Sequence, residues 1–123
     1  MANPNIVNVT TIYGNTSTVA LSTTSATSLV SNAAASGKVF KIDSIVVANT
    51  SALAANITIN VYSAAALGGT AYPIASTISV PAYASLIVTD KTTAFYLLED
   101  KSVGATAGTS NALVVTTSWE EIS

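Results

Sequence analysis

The stretch LLEDKSVGA, Leu97 to Ala105, gathers Glu99, Asp100 and Lys101 in a chain whose whole charge is four lysines and six carboxylates. Two carboxylates beside a lysine are raw material for general acid and base chemistry, in which one group gives a proton and another takes it. Glu99 and Asp100 are adjacent, however, and on a strand adjacent side chains point to opposite faces. They make a poor dyad. Asp and Lys followed by Ser, between apolar pairs, fit a tight turn joining a strand at Phe95 to Leu98 with another at Val103 to Ala105. The sequence reads this cluster as a solvated corner.

Other chemistries fare no better. With neither His nor Cys in the chain, imidazole and thiolate metal sites are excluded, and only an oxygen-ligand site for a hard cation is left. Asp43, Asp90, Glu99, Asp100, Glu120 and Glu121 lack the Asp-x-Asp-x-Asp spacing of a dedicated calcium loop. Nucleophilic catalysis would need Ser or Thr activated by Lys or a carboxylate, and no Gly-x-Ser-x-Gly, Ser-x-x-Lys or Gly-rich phosphate loop is present. No catalytic, cofactor-binding or metal-ligating residue is therefore expected, and the protein reads as a non-enzyme without cofactors. Tyr62, Tyr72, Tyr83, Tyr96 and Trp119 could stack on sugars, but they fall in different segments, where an aromatic more often marks a sheet edge or an interface.

Composition narrows the partners. Charged residues make up 8% of the chain, against about 25% in typical soluble proteins. Solubility then rests on Ser, Thr, Asn and Gly, and such a surface repels its own copies weakly. Net charge is −2, there is no Arg, and Lys38, Lys41, Lys91 and Lys101 are spread out, so phosphate neutralisation at useful density is not available and nucleic acid is not an expected partner. No window approaches the roughly 18 apolar residues of a membrane helix, and MANPNIVNVTT lacks the basic start and continuous apolar core of a secretory signal. Membrane insertion is not expected. Asn-x-Ser/Thr triplets at Asn8, Asn15, Asn49 and Asn56 are what chance gives in a chain this rich in Ser and Thr.

The elements that position these residues are strands. Residues 1 to 37 carry no charge; Ile6 to Val9, Val19 to Leu21 and Thr27 to Ser31 read as short strands, with Tyr13-Gly14-Asn15 as a turn between the first two. The alternative is an arm ordered by a neighbour. In KVFKIDSIVVAN, Phe40, Ile42, Ser44, Val46 and Ala48 share one face and Val39, Ile45 and Val47 the other. NITINVYS places Ile57, Ile59 and Val61 in the core opposite Asn56, Thr58, Asn60 and Tyr62. TISVP, SLIVTD, AFYLLE and NALVVTTSWEE point Ile78, Val80, Leu86, Val88, Phe95, Leu97, Leu113, Val115 and Trp119 inward. Turn chemistry lies at Gly68-Gly69, Val80-Pro81-Ala82, Asp90-Lys91-Thr92 and Ala107-Gly108-Thr109. The Ala-rich pieces Asn32 to Ser36 and Ala64 to Ala66 are too short to nucleate a helix. About 8 to 10 short strands in one domain over residues 1–123, with residues 1–12 as a possible N-terminal arm, predict an all-β antiparallel sandwich of jelly-roll or Ig-like type.

NIVNVTTIYG, KVFKIDSIVVAN, NITINVYS, AYPIASTISVPAYASLIV, FYLLEDKSV and the terminal SWEEIS together resemble a family of small virion structural proteins of tailed bacteriophages, marine cyanophages among them. The familiar corner in that family is Glu-Gly-Asp-Ser, where this chain has Glu99-Asp100-Lys101-Ser102. The resemblance implies a virion protein, made in the host cytoplasm, that decorates or cements a capsid. Its partners would be the major capsid protein or other virion proteins and its own copies, a trimer being favoured. Residues 2–12 and the C-terminal strand are the expected contact regions. A neck, tail or fibre-associated protein, or a glycan-binding surface module, are the alternatives.

Overall fold

The computed structural model describes residues 7–123 and is built from strands alone: β1 (Ile12–Ala20), β2 (Thr27–Asn32), β3 (Val39–Asn49), β4 (Ala55–Ala64), β5 (Gly68–Val80), β6 (Ser85–Thr89), β7 (Phe95–Leu97), β8 (Lys101–Ala107) and β9 (Leu113–Ile122). They form two antiparallel sheets. Sheet A runs β1-β9-β3-β6, with β7 also paired to β3, and sheet B runs β2-β8-β4-β5. With β7 set aside, the chain crosses between the two sheets at every connection except the β4–β5 hairpin, in the order of a jelly roll, so of the two sandwich types the sequence allows, the topology selects this one.

The core lies between the sheets, where Ile42, Ile45 and Val47 of β3 meet Ile57 and Ile59 of β4, with Val103 and Ala105 of β8 and Leu113 and Val115 of β9 around them. Each fully buried Ile or Leu of this kind is worth about 2 kcal/mol over leaving it in water. The alternation in β3 departs from strict period two. Asp43 is an extra residue, because Ile42 pairs with Trp119 and Ser44 with the next residue, Ser118. The bulge reverses the phase of the strand. Phe40 and Ile42 face the core, and beyond Asp43 the core residues are Ile45, Val47 and Asn49, while Ser44, Val46 and Ala48 are only partly buried. The expected shared face of Phe40, Ile42, Ser44, Val46 and Ala48 is thereby corrected.

Residues 12–20 form one unbroken strand, so the turn expected at Tyr13-Gly14-Asn15 does not exist: Gly14 pairs with Glu120 inside the β1–β9 ladder. Of the strand expected at Ile6 to Val9, Ile6 lies outside the described residues and Val7 to Val9 are not in a strand. Both Ala-rich pieces are turns, and Ala66 and Leu67 adopt left-handed φ angles of 56° and 61° at the tip of the β4–β5 hairpin.

Two buried asparagines latch the crossings between sheets on either side of β3. Asn32 donates through Nδ2 to the carbonyls of Lys38 (2.9 Å) and Leu97 (3.1 Å) and accepts from Ser36 Oγ (2.6 Å). Asn49 donates to the carbonyls of Leu53 (2.8 Å) and Val80 (3.0 Å) and accepts from the Ser51 amide (2.9 Å). Each amide satisfies backbone groups that the sheets cannot reach. Asn49 is buried and fully engaged, which accords with reading its glycosylation triplet as chance.

Candidate interaction surface

The charged cluster does form a turn: β7 ends at Leu97, β8 begins at Lys101, and Glu99-Asp100 carry the chain from sheet A to sheet B. Its side chains hold structure together. Asp100, at a left-handed φ of 56°, accepts a hydrogen bond from the Ala65 amide at 3.1 Å, and Lys101 Nζ donates to the Ser63 carbonyl at 3.1 Å. Both partners belong to the β4–β5 hairpin. The expectation of a solvated corner fails for Glu99, whose carboxylate oxygens are both shielded from water and have no hydrogen-bond partner among the described residues. Adjacent residues on this turn go opposite ways, which is why no acid-base dyad forms.

Residues 63–67 fold across the outside of sheet B. The Ser102 hydroxyl donates to the Ala64 carbonyl (2.8 Å) and accepts from the Leu67 amide (2.9 Å), while Ser31 Oγ accepts from the Ala66 amide (2.9 Å). These bonds press the Leu67 side chain onto Gly104. A Cβ at that position would stand 2.6 Å from Leu67 Cδ2, 3.0 Å from the Tyr62 ring and 3.2 Å from the Thr27 carbonyl. Tyr62, expected on the wet face, is buried beneath this hairpin. One end of sheet B is thus covered by the chain itself.

Among the described residues, the outside of sheet A is open. Directly paired residues share a face, and the registers align Thr18, Thr116, Val46 and Ile87 in one row and Ala20, Val114, Ala48 and Ser85 in the next, with Thr16, Ser118 and Ser44 on the other flank. No side chain in these rows is charged. Thr16 and Ser118 share a hydrogen bond at 3.0 Å. Among the described residues, charges on this face begin at its flank, where Gly14, Glu120, Lys41 and Tyr96 align and the bulge residue Asp43 lies 4.0 Å from Lys41 Nζ.

Comparison of the sequence with protein-family models finds no match, and comparison with curated proteins finds none. Among solved structures, the chain is similar to one described in the words "Bacillus endospore appendages form a novel family of disulfide-linked pili", with a TM-score of 0.51, 18% identity, and coverage of 91% of this chain and 87% of that one. At that identity the likeness is one of fold. It agrees with the all-β sandwich. This chain contains no cysteine, so it cannot make the disulfide links named for those pili.

The two expected contact regions are neighbours in space. Of the arm, residues 1–6 lie outside the described residues, while the Thr10 and Thr11 amides both donate to the Ser123 carbonyl and the Ser123 amide donates back to Thr11, extending the β1–β9 ladder. The C-terminal strand is not an edge. β9 is hydrogen-bonded on both sides, to β1 and β3, so it can meet a partner only through its outward side chains, Val114, Thr116, Ser118 and Glu120. Trp119 points inward and packs against the core.

The remaining aromatic candidates are dispersed. Tyr13 lies on β1, Tyr72 on β5, Tyr83 in the β5–β6 turn and Tyr96 on β7, all exposed. Among the described residues no three carboxylates come together as a cation site. Asp90 caps the β6–β7 turn, accepting from Thr92 Oγ1 at 2.6 Å and the Thr92 amide at 2.9 Å, and these bonds hold its carboxyl below the ordinary value. Sequence reasoning found only the end of the edge strand β1, at Val19 and Ala20, because Gly14 and Asn15 carry a turn signal that pairing with β9 overrides.

Proposed function

We propose that this protein is a bacteriophage virion structural protein, most concretely a decoration or cement subunit that stabilises an assembled head through protein–protein contacts. The observation that carries the reading is the neutral patch on the outer face of sheet A, three rows of Thr, Ser, Ala, Val and Ile that include Thr16, Thr18 and Ala20 of the uncharged strand β1. A neutral face can seat many copies on a shell without long-range repulsion between them. The jelly-roll winding is shared by viral capsid subunits, and that support is by analogy of fold. The mechanism is mass action: a subunit that binds only the assembled shell stabilises it by about 2.7 kcal/mol per site at a hundredfold excess over Kd.

Counting this chain against the major capsid protein by quantitative mass spectrometry of purified virions tests the reading. Hundreds of copies per particle are expected. A handful per particle would move the protein to the neck, tail or fibres, and absence from the particle would overturn the virion reading. A second reading, a subunit of an extracellular filament, is favoured by the likeness in fold to the endospore appendage. It predicts filaments visible by negative stain in concentrated pure protein without any shell.

A further inference from the structure

The sandwich has open edges, and they are not alike. A free edge offers unpaired amides and carbonyls to any other strand, and proteins blunt such edges with proline, charge, bulges or brevity. In sheet B, β5 carries Pro73, three register shifts and a left-handed Thr77, and β2 is six residues long with a shift between Ser28 and Val30. On the far side of sheet A, β6 has five residues and a register shift, and β7 has three residues. β1 has none of these devices. It runs IYGNTSTVA through nine consecutive pairs with β9 without a shift, and it contains no charge and no proline.

We infer that β1 is a self-pairing edge, by which two copies of this chain join antiparallel and merge their A sheets into one continuous sheet. Residues directly opposite one another share a face, so the inner residues Tyr13, Asn15, Ser17 and Val19 must meet inner residues of the second copy. The register that also uses the whole strand is centred on Thr16. It sets Thr16 against Thr16, Asn15 against Ser17, Gly14 against Thr18, Tyr13 against Val19 and Ile12 against Ala20. Every pair is compatible: the central Thr pair and, each occurring twice across the two-fold, the amide–hydroxyl pair and the aromatic–β-branched pair are favourable cross-strand partners, and no like charges are opposed. Tyr13, 61% exposed at the end of the strand, gains Val19 of the second copy as an apolar neighbour.

The contact is two-fold and therefore isologous, each copy giving and receiving the same surface. It is also small. Edge pairing of nine residues falls below the roughly 1,200 Å² of a standard interface, so association in the high-micromolar range is expected, and crowding of copies on a surface would raise the effective concentration that drives it. Pairing joins the neutral faces of two molecules side by side. The inference rests on the strand edges and stands or falls separately from the virion reading.

The chain lacks cysteine, which makes the register directly testable. At the two-fold position, paired Cα atoms are about 4.5 to 5.5 Å apart, within the span a disulfide accepts. The Thr16→Cys protein should cross-link to a dimer under mild oxidant, whereas Thr18→Cys, whose copies would lie about 14 Å apart along the strands, should not. Cross-linking that is absent at 16, or equal at 16 and 18, overturns the register. Sedimentation velocity up to about 1 mM supplies a second readout free of cysteine. Thr16→Lys and Thr16→Glu should each weaken the wild-type dimer about fivefold or more by opposing like charges, and an equimolar mixture should restore it. A wild-type protein that stays monomeric throughout, or a dimer indifferent to both charges, refutes the proposal, with circular dichroism confirming that each exposed-site variant is folded.

Discussion

Gly104→Ala probes the hairpin that covers sheet B. The added Cβ would lie 2.6 Å from Leu67 Cδ2, 3.0 Å from the Tyr62 ring and 3.2 Å from the Thr27 carbonyl. Leu67 cannot simply swing away, because its amide is held by Ser102 and its backbone sits in a left-handed turn. Overpacking of this kind costs about 1 to 3 kcal/mol, and replacing Gly by Ala within a strand returns about 0.5 to 1 kcal/mol of chain entropy. A net loss of about 1 to 2 kcal/mol follows. In a Leu67→Ala background the 2.6 Å contact is removed while those to Tyr62 and Thr27 stay, so the same substitution should cost clearly less, which gives a coupling of about 1 kcal/mol or more in the double-mutant cycle. Urea unfolding followed by Trp119 fluorescence measures all four proteins; each kcal/mol corresponds to roughly 3 to 6 °C in Tm for a chain of this size. Additivity within about 0.5 kcal/mol would refute the packing of Leu67 on Gly104.

Three further outcomes follow from the same structure. Ala66 holds a left-handed φ of 56° on an exposed turn, where a Cβ is costly, so Ala66→Gly should raise stability by up to about 1 kcal/mol in the same urea assay. Thr117 is buried on the inner face of β9 with no partner for its hydroxyl; Thr117→Val removes that group at nearly constant shape and should stabilise by about 1 kcal/mol, whereas a loss would reveal an unseen partner for the hydroxyl. Asp90 is held below its ordinary value of 3.8 by Thr92, so its contribution is present above that value and is lost as pH falls through the lower folded value. Carboxyl NMR titration should show the Asp90 midpoint rising toward the ordinary value in Thr92→Ala, and an unmoved midpoint would remove Thr92 as the cause.

The clean alternation of NITINVYS and the apolar pairs of β9 made those strands readable, because one buried face imposes period two on the residues themselves. β3 was readable as a strand but not in its facing, since a single inserted residue, Asp43, reverses the phase and nothing in its chemistry announces a bulge. β5 was legible only at TISVP. In its first half, GGTAYPIA, five of eight residues are Gly, Ala or Pro, which have weak strand preference and are tolerated there because the strand is an edge. Gly14-Asn15 misled for the opposite reason: local turn preference is worth less than nine ladder positions against β9. For the charged cluster, spacing along the chain correctly disfavoured a dyad. What spacing could not give was the use of Asp100 and Lys101 as anchors for a hairpin some 35 residues away, since that depends on how the sheets stack.

The two outer faces of the sandwich are treated differently by the chain, and the difference bears on how copies could meet. Sheet B spends four hydrogen bonds from Ser31, Asp100 and Ser102 on laying residues 64–67 over its own surface. It also blunts both edges with bulges and, on β5, with a proline. Among the described residues sheet A has no such cover on its outer rows, and β1 pairs without a register shift and is neutral. If neutrality were only a matter of composition, uncharged residues would be spread evenly over covered and open surfaces alike. Instead, Asp100 and Lys101 are tied to the sheet B hairpin, the Glu99 carboxylate is shielded from water, and the three neutral rows of sheet A receive none. A Thr116→Lys substitution in the middle of that face separates a functional surface from an idle one. Thr116 is flanked on its face by Thr18 and Val46, so a lysine there extends into water and folding stability should change by less than about 0.5 kcal/mol. Any multi-copy assembly seated on this face should nevertheless lose occupancy, because an unpaired charge would have to be desolvated in the contact. Unchanged occupancy with this variant would assign the contact to another surface.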